Sequence, residues 1–271
     1  MFGFLKERHR RERRARPFPP PWLATIGANF PYFGRLPPAD QAELLGHVQV
    51  FLDETTFEGC GGLAIDDTIR VTIAAQACLL LLHREAGGFA DLETVLVYPS
   101  AYVDPRPRIV EGGVVVEGGQ ARLGESWTRG VVVLAWDSVL AGAADLRDGH
   151  NVVLHELAHQ LDQEDGAADG VPALPRPGMY AAWARVLGAD FEELARESAE
   201  GHRTVMDAYG ATNPAEFFAV ATEAFFERPR ALRAKHPALY EQLGLYYRQD
   251  PAALPPARHG LLPDRSGVVD P

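Results

Sequence analysis

Two histidines stand four residues apart with a glutamate beside the first, His155-Glu156-Leu157-Ala158-His159, within the run NVVLHELAHQLD. On a helix, positions i and i+4 share one face, so both imidazoles can reach a single divalent cation. The chemistry served by this arrangement is hydrolysis: two nitrogen ligands hold Zn²⁺, and Glu156 takes a proton from a water that the metal polarises. The flanks supply the helix that the spacing needs. Val152, Val153, Leu154, Leu157, Ala158 and Leu161 are apolar, no proline or glycine interrupts residues 151–164, and Asn151 suits an N-cap.

A catalytic zinc takes three protein ligands and keeps one position open, so a third ligand is required. The segment 207–228, DAYGATNPAEFFAVATEAFFER, starts a second helix at Asn213-Pro214. Glu216, in its first turn, is bordered by Phe217, Phe218 and Val220, where a carboxylate is costly unless paired or metal-bound. It is the expected third ligand. Glu223, seven positions later on the same face, is the partner of a ligating histidine, or the ligand itself in another register. Tyr209 lies seven residues before Glu216, from where a phenol can donate to the oxyanion of a tetrahedral intermediate; the alternative is a tyrosine that packs in a loop. Asp162 either hydrogen-bonds a ligand imidazole or is a surface acid in a salt bridge.

HELAHQLD, followed by Ala168-Asp169-Gly170 and then YGATNPAEFFAVATEAFFE, resembles the bacterial Mlc titration factor A family of zinc-dependent peptidases. The likeness extends upstream to residues 70–78, 97–100 and 130–136 and downstream to 239–240 and 246–251, and so covers roughly residues 22–251. It implies a cytosolic peptidase with aminopeptidase-like activity and a catalytic core similar to that of anthrax lethal factor. Carried over residue by residue, it gives one Zn²⁺ held by His155, His159 and Glu216, with Glu156 in the catalytic position and Tyr209 in the oxyanion-stabilising one. It also implies, for organisms that own such a repressor, binding of an Mlc-like transcriptional repressor beside a peptide or protein substrate.

The chain has 271 residues, 46% of them hydrophobic, enough for a buried core. Its net charge of -11 is uneven: residues 1–16 carry seven Lys and Arg against two Glu, a net of +5, which leaves -16 for the rest. The acidic body argues against nucleic acid as its ligand. The basic arm is expected to be solvated and partly disordered, with an anionic membrane or nucleic acid as the alternative partner. Two cysteines, Cys60 and Cys78, are too few for a disulfide framework and read as small core residues. No secretory signal pattern appears, and the longest apolar run, residues 73–82 broken by Gln76, is far short of the ~20 residues that span a bilayer. A cytoplasmic enzyme without a membrane span is expected.

The elements that must position these groups follow from local pattern. Four prolines in residues 17–21 separate the arm, residues 1–21, from a single domain over 22–251, and 252–271 form a tail expected to be poorly ordered. Residues 38–51 and 67–85 have helical spacing. Residues 89–98 and 108–116 turn to β-branched types, with turns at Gly112-Gly113 and Gly118-Gly119. Residues 130–136 form a strand, either an edge on which a peptide can pair or a buried interior strand. The Gly, Pro and Asp of residues 165–178 make a loop that rims the site. The expected fold is α+β and zincin-like: N-terminal helices and a mixed sheet over 22–150, packed against the HExxH helix, then a mainly helical part over 151–251.

Overall fold

A computed structural model of the chain describes residues 2–84, 88–89, 91–100, 102–103, 108–110, 114–116, 121–122, 124–127 and 130–256, with side chains outside residues 2–4 and 101–129. The chain opens with helices α1 (Phe2–Arg14), α2 (Pro20–Asn29) and α3 (Pro38–Glu54). A short strand β1 (Thr56–Gly59) leads to helix α4 (Asp67–Leu79), whose N-cap Asp66 accepts from the Ile69 N–H. Then come β2 (Thr94–Tyr98), β3 (Tyr102–Val103), β4 (Arg108–Val110), β5 (Val114–Val116), β6 (Ala121–Arg122), β7 (Gly124–Trp127) and β8 (Val131–Ala135). The remainder is helical: α5 (Trp136–Ala144), α6 (Val152–Asp162), α7 (Tyr180–Ala199), α8 (Pro214–Glu227), α9 (Pro229–Lys235) and α10 (Pro237–Tyr247).

The α+β expectation holds, with a small sheet among many helices. Its order is β1-β2-β8-β7; β1, β2 and β8 run parallel and β7 antiparallel to β8. Strands β3 and β6, and β4 and β5, form separate two-stranded ribbons. Residues 130–136 therefore supply an interior strand, and among the described residues the edge on that side is β7. Strand β8 has a parallel neighbour and an antiparallel one, so both rows of its backbone groups are used, and residues 132–135 are buried. Helix α6 packs against both β7 and β8 and against α8.

Helix α8 is the centre of the core: every residue from Phe217 to Glu227 is buried. Phe217, Phe218, Phe225 and Phe226 meet Trp183, Phe191, Tyr240, Tyr246 and Tyr247 in mostly edge-to-face contacts. Helix α4 is buried from Val71 to Leu79 and ends there, short of the 85 that its periodicity predicts. Leu80 to Leu82 continue inward as a turn, and His83 takes a positive φ of 61°.

One expectation for the chain ends needs correction. The basic arm is not a solvated strand of charge: it forms α1 and lies along α3. Arg10 donates through Nε and Nη2 to Glu54, at 2.7 and 2.6 Å, and Arg13 pairs with Asp53. Asp53 and Glu54 at the end of α3 offset part of the arm's net charge of +5, a pairing that a count of local charge cannot anticipate. At the C-terminal end of the domain Pro251 is buried, as is Ala252 beyond it, and Arg35 donates to the Pro255 carbonyl at 2.9 Å; residues 257–271, most of the expected tail, and the turns at Gly112-Gly113 and Gly118-Gly119 lie outside the described residues. Both cysteines are free; Cys78 is in the core, whereas Cys60 is half-buried. Among the described residues no helix is long and apolar enough to cross a membrane.

Candidate metal centre

Helix α6 starts where the sequence places its cap: Asn151 Oδ1 accepts from the N–H groups of Val153 and Leu154, each at 3.1 Å. That fixes the register which turns His155 and His159 toward α8, with their rings 4.9 Å apart and nearly perpendicular. On α8, Asn213 caps the N-terminus by accepting from the Glu216 N–H at 3.0 Å, and so holds Glu216 in the first turn.

The two helices bring the predicted ligands together. Glu216 Oε2 lies 3.1 Å from His155 Nε2 and 3.3 Å from His159 Nε2, and one ligand atom from each residue lies within 4.8 Å of the others. Bonds of about 2.05 Å in a tetrahedron put neighbouring ligand atoms about 3.3 Å apart, so this nitrogen, nitrogen and oxygen set fits a zinc ion. Electrostatics report the same convergence. Burial disfavours a charged His155, yet hydrogen bonds with Glu216 and Glu223 hold its pKa up to about 10. Burial acts to raise the Glu216 pKa, but the facing imidazoles hold it far below the usual carboxylate range.

Glu223 takes the other side of His155. His155 Nδ1–H donates to its Oε1 at 2.8 Å, while Oε2 accepts from the Asn151 backbone N–H. A carboxylate bound to Nδ1–H holds the ring with Nε2 facing Glu216 and His159, so that a neutral ring would carry its proton on Nδ1 and leave Nε2 to bind a metal. Of the two glutamates on this face, only Glu216 has an oxygen between both Nε2 atoms.

Glu156 is buried, on α6 directly beside His155. Tyr209 belongs to a 3-10 turn, Ala208–Ala211, whose first residues are set by Asp207 accepting from the Tyr209 N–H at 2.7 Å. Its ring centroid is 6.1 Å from that of His155, and at 53% exposure the phenol stands on the solvent side of the site.

Asp162 follows neither alternative that the sequence offers. It is fully buried, and its Oδ2 accepts from the Gly170 N–H at 2.9 Å, anchoring the loop that follows α6. Trp183 Nε1–H donates to the Gly170 carbonyl at 3.1 Å. Gly170 itself has φ +79°, and a Cβ there would lie 2.7 Å from the Pro214 carbonyl carbon, at the start of α8. Through Gly170, the loop of residues 165–178 thus braces the helix end that carries Glu216. Sequence reasoning missed this bracing, and also Gln76, fully buried on α4, whose Oε1 accepts from Asn151 Nδ2 at 3.1 Å. The signal for Gln76 was present: one amide interrupts an apolar run, as an uncompensated core residue would not.

Comparison with known proteins agrees with this chemistry. The chain is 41% identical over 237 residues to the uncharacterized protein slr2042 of Synechocystis sp. (strain ATCC 27184 / PCC 6803 / Kazusa), covering 87% of this chain and 86% of that one. It is 32% identical over 230 residues to proteins named Mlc titration factor A in Yersinia pestis (strain Pestoides F) and Yersinia pseudotuberculosis serotype O:1b (strain IP 31758), covering 83% of each partner. Residues 4–248 match a family described as glucose-regulated metallo-peptidase M90. With nearly its whole length matched, and with a histidine and glutamate cluster able to hold a metal, the chain belongs to the M90 metallopeptidase family.

Proposed function

We propose that the chain is a zincin-like, gluzincin-type peptidase of the cytoplasm that hydrolyses peptide bonds, with aminopeptidase-like preference. His155, His159 and Glu216 would hold one Zn²⁺. When bound, that ion supplies a Lewis acid that polarises a carbonyl and brings the pKa of a water toward ~7. The carrying observation is the single Glu216 oxygen facing both Nε2 atoms, with Glu223 behind His155.

Glu156 is the general base: it takes the proton from the attacking water and returns it to the departing amine. It stands buried beside His155. Tyr209, on the open side, donates its phenolic hydrogen to the developing oxyanion. Glu223 keeps His155 in one tautomer through the reaction. Strand β7, paired on one side to β8 and packed near α6, offers its other edge to an extended peptide, which would add as a further antiparallel strand.

The test compares wild type and Glu156→Gln at equal zinc content on peptides with free and blocked N-termini. Turnover in wild type alone, lost when the N-terminus is blocked, is the expected result. Equal rates in both proteins would refute the role of Glu156. The relatives' name, Mlc titration factor A, favours one further reading, in which the chain sequesters a transcriptional repressor and peptidase activity is secondary; a repressor complex that forms equally with Glu156→Gln would support it.

A further inference from the structure

Behind His155 a line of buried polar groups leaves the site and enters the core, and the geometry points to Gln76 and Asn151 as positioning residues of the metal centre. They orient the Glu223 carboxylate that holds His155. The inference rests on reading His155, His159 and Glu216 as metal ligands.

The line begins at Glu223, whose two oxygens are both committed: Oε1 to His155 Nδ1–H and Oε2 to the backbone N–H of Asn151. The place of residue 151 therefore decides where the carboxylate stands. That residue is in turn held by its side chain from two directions. Oδ1 accepts from the Val153 and Leu154 N–H groups, and Nδ2 donates to Gln76 Oε1 at 3.1 Å. An amide can satisfy both only with its carbonyl toward α6 and its NH₂ toward α4.

Gln76 enforces that choice. It has no exposed surface, and its Nε2 faces the carbonyls of Thr72 at 3.3 Å and Val139 at 3.4 Å. With its donor side taken by carbonyls, only its oxygen remains for Asn151. One hydrogen-bonded set thus joins α4, α5, α6 and α8. An N-cap by itself needs only Oδ1, and aspartate would serve equally well. A glutamine in the apolar centre of α4 carries a desolvation cost that leucine would not. Both residues carry more than capping requires, and the surplus contact ends at the backbone N–H that fixes Glu223.

The experiment measures zinc affinity, by competition with a chromophoric chelator, for wild type, Gln76→Leu and Asn151→Asp. Thermal unfolding of each zinc-free protein checks the fold, and the proton NMR resonance of His155 Nδ1–H is followed in each zinc-loaded protein. Asn151→Asp keeps the cap acceptor but loses the donor to Gln76 and buries a carboxylate near Glu227. Gln76→Met, which keeps the side chain's length and removes only its amide, is measured beside it and decides the matter should either other variant fail to fold. We expect folded variants with zinc affinity lowered roughly tenfold, the lower end for loss of an outer partner, and with the Nδ1–H resonance moved upfield. Folded variants with wild-type affinity and an unmoved resonance would overturn the positioning role. Wild type that takes up no zinc would overturn the metal reading beneath it, which separates the two failures.

Discussion

Replacing Gly170 with alanine tests how the loop after α6 supports the site. Three costs combine at that position. An alanine at φ +79° occupies the left-handed region, which costs on the order of 1–2 kcal/mol for a residue with a Cβ. The new methyl would press on the Pro214 carbonyl carbon at 2.7 Å, so either α8 or the loop must yield by several tenths of an ångström. If the loop retreats, the Gly170 N–H pulls away from Asp162, a bond worth about 1.5–3 kcal/mol if the carboxyl is charged, and the carbonyl pulls away from Trp183 Nε1, worth about 1 kcal/mol. With the carbonyl bond only partly lost, the sum is about 3–5 kcal/mol. For a chain of this size it corresponds to a Tm lower by roughly 10 °C. If α8 yields instead, Glu216 in its first turn is displaced and zinc affinity falls. Urea unfolding of the zinc-free protein, paired with zinc competition, measures both. A Gly170→Ala protein within about 0.5 kcal/mol of wild type, with unchanged zinc affinity, would refute the bracing argument.

Glu216→Gln is expected to weaken zinc binding by more than the roughly 10–100-fold that loss of an outer partner costs, and Glu223→Gln to stay within that range; the reverse ranking in a chelator competition would move the ligand role to Glu223. Tyr209→Phe should lower kcat by about 100-fold with zinc content and KM unchanged, the signature of a donor used only in the transition state; an unchanged kcat would leave Tyr209 as a packing residue. Burial raises the pKa of Asp162 to about 6 from an ordinary value of 3.8. The folded protein therefore holds this proton more tightly than the unfolded one, and the group's contribution is lost as pH rises through about 6. Asp162→Asn keeps an acceptor for the Gly170 N–H and removes the titration. Between pH 4 and 7 the zinc-free wild type should lose on the order of 2–3 kcal/mol relative to this variant; parallel stability curves would contradict the assignment.

The chemistry of this protein is written in short-range pattern, because a helix converts spacing into direction. HELAH on an uninterrupted apolar helix puts two imidazoles on one face, and an Asn-Pro start with a glutamate in the first turn puts a carboxylate at a helix end. Asn151 was legible as a cap and Asn213-Pro214 as a helix start for the same local reason, and both asparagines cap their helices. What sequence spacing could not decide was which of two carboxylates on one face of α8 stands between the histidines. Glu216 and Glu223 share the periodicity, and only the crossing of α6 over α8 gives one of them Nε2 atoms and the other Nδ1. The interior place of β8, the docking of α1 on Asp53 and Glu54, and the inward turn of Asp162 to Gly170 likewise depend on partners tens of residues away in several cases. Gln76 is the clearest example: its sequence context says only that an amide is buried, and a contact spanning 75 positions says what it holds. Local pattern fixes which way a side chain leaves its own backbone; which group it meets is fixed by packing, and packing is a property of the whole chain.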